Sequence, residues 1–461
     1  MSYRVQSALT AVGLAALLAT AAGGASRAET VDGALARAYG SNPTLNAQRA
    51  ALRATDENVP QALSGYRPRL NATGDAGVQT DRNRNPVVGA INQDYLPRGV
   101  SLTVDQIIWN GNRTPNSVSQ AESQVFAGRE TLRNIELQVL LDAVTAYMNV
   151  LRDTAVLGVR RSNVEVIEEQ LRQVRDRFAV GEVTRTDVAQ SESRLALAKS
   201  QAATSEALLK ASLATYRQRI GAEAKVLAPA RPLDRLMPRT QEAGIQLGLR
   251  THPLISAAMH SVDAALLAVK VIEGELYPSL SVRGILAQRY DLQAPDIDRG
   301  SAAIVGNLTI PIYEGGQVYS RVRQAKETLG QQRITVDVIR DQVRQAVMAG
   351  WGQYEATKLQ VLAAQAQVQA AEIALAGVRE EAKVGQRTTL DVLNSQQELA
   401  EGRVQLITAQ RDRVVATYNL LAATGQLSAK TLALRVDHYD SRTHFNQVRD
   451  KWVGLDTPGG R

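Results

Sequence analysis

Residues 180–188 read VGEVTRTDV, and residues 384–392 read VGQRTTLDV. The two nonapeptides stand 204 positions apart, each between long segments rich in Ala, Leu, Val, Gln, Glu and Arg, a composition that favours helix. The same offset of 204 pairs Gly111 with Gly315, Gln120-Ala121 with Gln324-Ala325, Tyr147 with Trp351, Ser191 with Ser395, Leu195 with Leu399 and Gly221 with Gly425. Upstream the offset becomes 210, pairing Asn42-Pro43 with His252-Pro253, Pro68 with Pro278 and Gly74 with Gly284. The chain is therefore two copies of one unit. The first copy carries six extra residues between Gly74 and Gly111.

That extra length falls where the periodicity changes. Leu70, Ala72, Gly74, Ala76 and Val78 alternate with Arg69, Asn71, Thr73, Asp75 and Gln79, which is a strand pattern. Residues 101–109 form a second strand, with Val100, Leu102, Val104 and Ile108 on one face. Copy two repeats the pair as Leu280, Val282, Gly284 and Leu286, then Ile304, Gly306, Leu308, Ile310 and Ile312. Each copy thus supplies one hairpin, giving four long strands in the chain. The smallest membrane barrels need about 8 strands, so if these strands lie in a bilayer, several chains must share one barrel. Tyr66, Trp109, Tyr277 and Tyr313 fall at one end of the strands and Tyr290 toward the other, a placement that suits an interfacial aromatic girdle.

The helical segments have matching lengths. Residues 113–180 and 317–384 each give a helix of about 67 residues, or ~100 Å at 1.5 Å per residue. After each nonapeptide a helix of about 35 residues runs to a glycine stop, over 186–220 and 390–424, and helices of similar length lead into the hairpins over 30–64 and 241–274. Two short helices end to end match one long one. Each copy therefore reads as a short helix rising to the hairpin, a long helix descending, a turn at the nonapeptide, and a short helix climbing halfway back. In the last helix Leu393, Ala400, Ile407, Val414 and Leu421 recur every seven residues beside a second row, Val392, Leu399, Leu406 and Leu420. Two adjacent stripes call for neighbours on two sides, as in a wall of helices. In domain terms, residues 1–28 are a leader, 29–239 the first repeat with a proline-punctuated linker at its end, 240–425 the second repeat, and 426–461 a tail at mid-height.

The beginning of the chain places Arg4 before an apolar run and Ser26-Arg27-Ala28 before Glu29, the layout of an export signal cut after Ala28. There is no cysteine, so disulfides, thiol ligands and thiol lipidation are excluded. After Ala28 no run of 18 apolar residues appears, which argues against helical spans but not against a β-barrel. Net charge is +7, without a basic block, and gives no reason to expect nucleic acid. His252, His260, His438 and His444 show no metal-ligand spacing, and there is no GxxxxGK[ST] loop, so neither enzyme chemistry nor a cofactor is expected.

The repeated VGxxTxxDV-type turns, the strand exits IIWNGN and IPIYEGG, and the duplicated layout together resemble the TolC family of outer-membrane factors over essentially the whole mature chain. The resemblance implies a mainly α protein with transmembrane β structure. In such a protein a homotrimer joins four strands per chain into a twelve-stranded β-barrel in outer-membrane lipid, and long antiparallel helical hairpins form an α-barrel tunnel through the periplasm. It implies an exit duct for multidrug efflux or type I protein secretion, recruited by a periplasmic adaptor (membrane fusion protein) and powered by an inner-membrane pump or ABC exporter. Each nonapeptide becomes the turn at a periplasmic tip, where Gly181 and Gly385 allow reversal and Thr186-Asp187, or Thr389 with Asp391, begin the returning helix as cap and first-turn acid.

Matched residue by residue, the resemblance makes Arg387 the gate arginine, Thr186 and Asp187 its partners in the other hairpin, and Asp391 the first acid of an entrance ring. Asn394 stands where a second acid is expected, and Ala382 replaces a gate tyrosine, leaving more of the closure to Arg387. Val180-Gly181 and Val384-Gly385 match the adaptor docking sites. The alternative from another class is a periplasmic adaptor or helical scaffold, for which one hairpin, lipoyl-like β-domains and an inner-membrane anchor would be expected instead.

Overall fold

The computed structural model describes residues 28–85, 89–292 and 296–458; all but the last residue of the export signal at 1–28 lies outside the described residues. In chain order the elements are α1 (Val31–Ser41), α2 (Pro43–Asp56), α3 (Asn58–Leu63), β1 (Arg69–Ala76), β2 (Gln79–Asn85), β3 (Gly89–Tyr95) and β4 (Arg98–Trp109). They continue as α4 (Arg113–Ala179), α5 (Arg185–Ile220), α6 (Gln241–Thr251), α7 (Pro253–Glu273), β5 (Ser279–Tyr290), β6 (Arg299–Thr309), α8 (Gln317–Lys383), α9 (Thr389–Ala423) and α10 (Ser441–Val448). Both long helices, α4 and α8, are 67 residues, as the repeat requires. Pro115 sits in the first turn of α4, where a missing N–H costs nothing.

The helices leading into the hairpins are not continuous, contrary to the sequence expectation. Asn42 and His252 each precede a proline, which pushes them out of the helical region to ψ 123° and ψ 125°. The breaks are capped: Asn42 donates to the Arg219 carbonyl at 2.9 Å, and His252 Nδ1 accepts the Leu254 N–H at 3.2 Å. Burial holds the His252 pKa below its ordinary value, consistent with the neutral ring that this acceptor needs.

The chain divides into two compact units. One comprises Met1–Pro43, Glu136–Ala243 and Val347–His438. Its core includes Tyr147, Tyr216, Leu420, Leu421 and Leu427, all buried. Tyr147 bonds the carbonyls of Glu29 (2.7 Å) and Ala228 (2.6 Å), fastening the inter-repeat linker to the start of the chain, and burial raises its pKa to about 12. The two stripes of α9 find two sets of neighbours. Leu393 packs with Ile167 of α4 and Ala198 of α5, while Leu399 packs with Ala371 and Leu375 of α8, flanked by Val392.

The other unit comprises Thr44–Ile135, Gly244–Ala346 and Tyr439–Arg461. Its sheet has the antiparallel order β1-β4-β5-β6. Register puts Leu70 opposite Val104, Ala72 opposite Leu102, Leu102 opposite Leu286, Gly284 opposite Ile304 and Leu280 opposite Leu308, so one face is mostly apolar, with Arg98, Gln106 and Gln288 toward its ends. The other face carries cross-strand polar pairs: Thr73 with Ser101 at 2.7 Å, Arg289 with Asp75 at 3.1 Å, and Arg283 with Asp105. A bulge between Ile107 and Trp109 brings Trp109, not Ile108, opposite Leu280. β6 ends at Thr309, two residues before Pro311, so Ile310 and Ile312 lie beyond the strand.

The extra length of the first copy lies in a second, two-stranded sheet, β2-β3, which sequence reading did not find because QTDRNRN has no apolar alternation. The tail from Tyr439 onward belongs to this unit. α10 packs Phe445 against Val59, Ala121 and Val125, and Arg67, just before β1, donates to the Lys451 carbonyl at 3.0 Å. Two helical stretches, Gln241–Leu276 and Gln317–Lys383, are long and apolar enough to cross a membrane by length and composition, although neither holds an unbroken run of 18 apolar residues. The alanine content of the second suits close helix packing.

Candidate functional site at the hairpin tips

Each long helix ends in the same turn. Gly181 and Gly385 both have φ +79°, the left-handed conformation that glycine adopts without penalty. Around them Glu182 N–H donates to the Arg177 carbonyl and Gln386 N–H to the Glu381 carbonyl, each at 2.9 Å, while Gly385 N–H donates to the Ala382 carbonyl at 3.2 Å. Position 382 thus serves the turn through its backbone, which alanine supplies as well as a tyrosine would. Val180 and Val384 beside the glycines are exposed.

The returning helices start with capping boxes, and the capping residues are Thr184 and Thr388 rather than Thr186 and Thr389. Thr388 donates its N–H (2.9 Å) and hydroxyl (2.8 Å) to the Asp391 carboxylate and accepts the Asp391 N–H at 3.2 Å. Thr184 and Asp187 repeat the arrangement at 2.9, 2.7 and 3.3 Å. These bonds hold both aspartates below the usual carboxylate pKa, with Arg177 adding to the effect on Asp187 and Arg387 on Asp391. The signal was present in the sequence as Thr-x-x-Asp, repeated at the same offset.

An ion pair crosses each turn with its polarity reversed between copies. Arg177 on α4 pairs with Glu182 in the first turn, and Glu381 on α8 pairs with Arg387 in the second, both at 2.8 Å. Among the described residues Arg387 is therefore held by its own hairpin, and Asp187 by Thr184; the structure does not bring Arg387 onto Asp187 or Thr186 within one chain.

Further from the tip, Arg194 of α5 donates to Asn394 of α9 at 2.7 Å and to Gln397. Asn394 is thus engaged by the neighbouring helix, a partner that sequence reading missed. Arg160 of α4, only 11% exposed, forks onto Glu401 at 2.9 and 3.0 Å and reaches Gln201 at 3.1 Å, tying three helices together. The aromatic candidates lie at the ends of strands. Tyr66, Trp109, Tyr277 and Tyr313 are exposed at the end of the sheet where β1 and β5 begin, and Tyr290 lies at the opposite end under the Arg98 guanidinium.

The family described as outer membrane efflux protein matches residues 34–222 and 244–426, one match in each copy. The chain belongs to the outer membrane efflux protein family. It is 41% identical, over the full length of both chains, to outer membrane efflux protein BepC of Brucella suis biovar 1 (strain 1330). It is 24% identical to outer membrane protein TolC of Escherichia coli (strain K12), over 88% of this chain and 84% of that one. Among solved structures, the Campylobacter jejuni CmeC outer membrane channel has a TM-score of 0.78 over 91% of this chain and 89% of that one at 15% identity, which shows the shared fold. CusC gives 0.76 over 86% and 92% at 17% identity. The protein is accordingly an outer-membrane efflux component of TolC type. Two family matches filling both repeats set aside the adaptor and scaffold alternative.

Proposed function

We propose that three copies of the chain close a single duct, gated at the paired tips and recruited there by a periplasmic adaptor. The observation that carries this reading is the open four-stranded sheet with one mostly apolar face. Among the described residues its outer strands β1 and β6 each have one unpaired edge, and such an edge is a template for further pairing. Because the strands alternate in direction, β6 of one copy meets β1 of the next antiparallel, so copies add four strands at a time without breaking the alternation. Three copies give the twelve strands that the family resemblance implies. The exposed Leu359, Leu362 and Ile373 of α8 supply apolar surface for a neighbouring copy to cover.

At the tips, closure has Arg387 exchanging Glu381 for Thr186 and Asp187 of another hairpin. Three Asp391 carboxylates around the axis then favour cations at the entrance. Val180-Gly181 and Val384-Gly385 receive the helical hairpin of the adaptor, because a turn without bulky side chains permits close approach. The energy for export comes from an inner-membrane pump or ABC exporter joined through that adaptor. Mass measurement of the purified protein in detergent tests the assembly: a trimer is expected, and a stable monomer would overturn the shared barrel.

A further inference from the structure

The last described stretch of the chain forms a small closed loop. Lys451 Nζ reaches the Asp456 carbonyl at 2.8 Å and its carboxylate at 3.0 Å, closing a ring of six residues. Gly454 inside it has φ +116°, and a Cβ there would lie 2.9 Å from the Asp456 carboxylate and 3.1 Å from Lys451 Cε, so the loop needs glycine at this point. What the loop displays is apolar: Trp452 is 66% exposed, Val453 84%, and Leu455 fully so. Three large apolar groups within four residues of a polar tail are unusual for a surface left in water.

The position of the loop is fixed from two sides. α10 is seated by Phe445 and by the buried pair of His444 with Asp56 at 2.9 Å, and Val448 is fully buried. Beyond it, the Arg67 guanidinium lies 4.7 Å from the centre of the Trp452 ring while bonding the Lys451 carbonyl. Asp56, Val59 and Arg67 follow one another along the chain toward β1, and His444, Phe445 and Trp452 meet them in the same order. The tail therefore runs alongside the entry to the sheet and ends at its foot. Arg67, which holds Trp452, lies in sequence between the exposed Tyr66 and the exposed Leu70 of β1, so the loop is anchored at the entry to the sheet.

We propose that the loop 451–456 is an interfacial foot that lies in the periplasmic leaflet of the outer membrane, with Trp452, Val453 and Leu455 in the lipid and Arg67 and Lys451 at headgroup level. Aromatic and basic groups side by side are the chemistry of that interface, and long basic side chains can keep their charge wet while their stems lie along apolar surface. The occupant is lipid rather than a second copy, because Arg67 anchors Trp452 at the entry to β1, where the strands begin, and sets a basic group beside the exposed aromatic ring. This inference rests on the sheet being the membrane-spanning part, so the test carries its own check on that point.

The protein contains three tryptophans: Trp109 at the foot of β4, Trp351 on α8, and Trp452. Full-length protein with Trp109→Phe and Trp351→Phe, leaving only Trp452, is reconstituted in vesicles of phosphatidylcholine brominated near the headgroup or near the chain end. Emission from Trp452 is expected to fall by about half with shallow bromines, and less with deep ones, for a group ~5–10 Å into the interface. A companion variant retaining only Trp109 reports on the strands. If Trp109 is quenched and Trp452 is not, the foot is not in lipid; a blue-shifted, unquenched Trp452 would assign the loop to a neighbouring copy, and either result overturns the proposal. If neither is quenched, the membrane reading of the sheet fails and the foot with it. Should the double variants not fold, the difference between wild type and Trp452→Phe in the same vesicles gives the same discrimination.

Discussion

Arg194 and Asn394 join the returning helices of the two repeats, the guanidinium donating to the amide oxygen at 2.7 Å. The link stands one turn beyond Asp391, where the family resemblance leads one to expect a second entrance acid. Here that position holds a neutral acceptor and the cation that it binds sits on the other repeat. Arg194→Ala should release α9 from α5 at a cost of roughly 1 kcal/mol and raise single-channel conductance. Arg194→Lys should restore little, because an ammonium cannot span both Asn394 and Gln397 with a planar fork.

The capping boxes separate neighbouring threonines. Thr388→Ala should destabilise the start of α9 by about 1 kcal/mol, whereas Thr389→Ala should change little; Thr184 and Thr186 should behave as the equivalent pair. Hydrogen exchange at the tip amides measures this directly. Equal effects at Thr388 and Thr389 would contradict the observed caps.

Acid should act on the same bonds. Asp187 and Asp391 have folded pKa values below the ordinary carboxylate value of about 3.9. Their contribution to tip stability is therefore complete above about pH 4 and is lost as pH falls through the lowered folded values. Tip amide protection, corrected for intrinsic exchange, should be flat from neutral pH to about that point. Loss already near pH 6 would mean that the carboxylates are not held by their threonines.

Away from the tips, Tyr147→Phe should lower stability by about 1–2 kcal/mol, since one hydroxyl serves both the Glu29 and Ala228 carbonyls. Denaturant titration of the helical signal would show this, and no change would place the linker's attachment elsewhere.

Much of this architecture was legible because duplication repeats every signal. The 204-residue offset located both turns, both 67-residue helices and the four-stranded sheet, and the two stripes of α9 foretold its two sets of neighbours. What was not legible had particular causes. Asn42-Pro43 and His252-Pro253 break their helices through backbone sterics that helical composition hides. β2 and β3 form a polar hairpin without alternation. The bulge that exchanges Ile108 for Trp109 shifts register by one residue, which no pattern of apolar spacing announces. At the tips the acids could be read, but choosing Thr184 and Thr388 over the next threonines required the N3 spacing of the capping box. Arg194 lies 200 residues from Asn394, so only the fold brings them together.

On the proposed reading the repeated tips gate a membrane duct. Single-channel conductance in planar bilayers should be compared between the wild type and Asp187→Asn with Arg387→Ala, a pair that removes both charges while leaving an acceptor for Thr184. Thr184→Ala serves as the control for cap loss alone. A small, cation-favouring conductance that rises clearly in the double variant, and by more than in the control, is the predicted result. Folded, membrane-inserted protein with unchanged conductance in the double variant would contradict a gate at these residues, and no conductance from any of the three would contradict the duct itself.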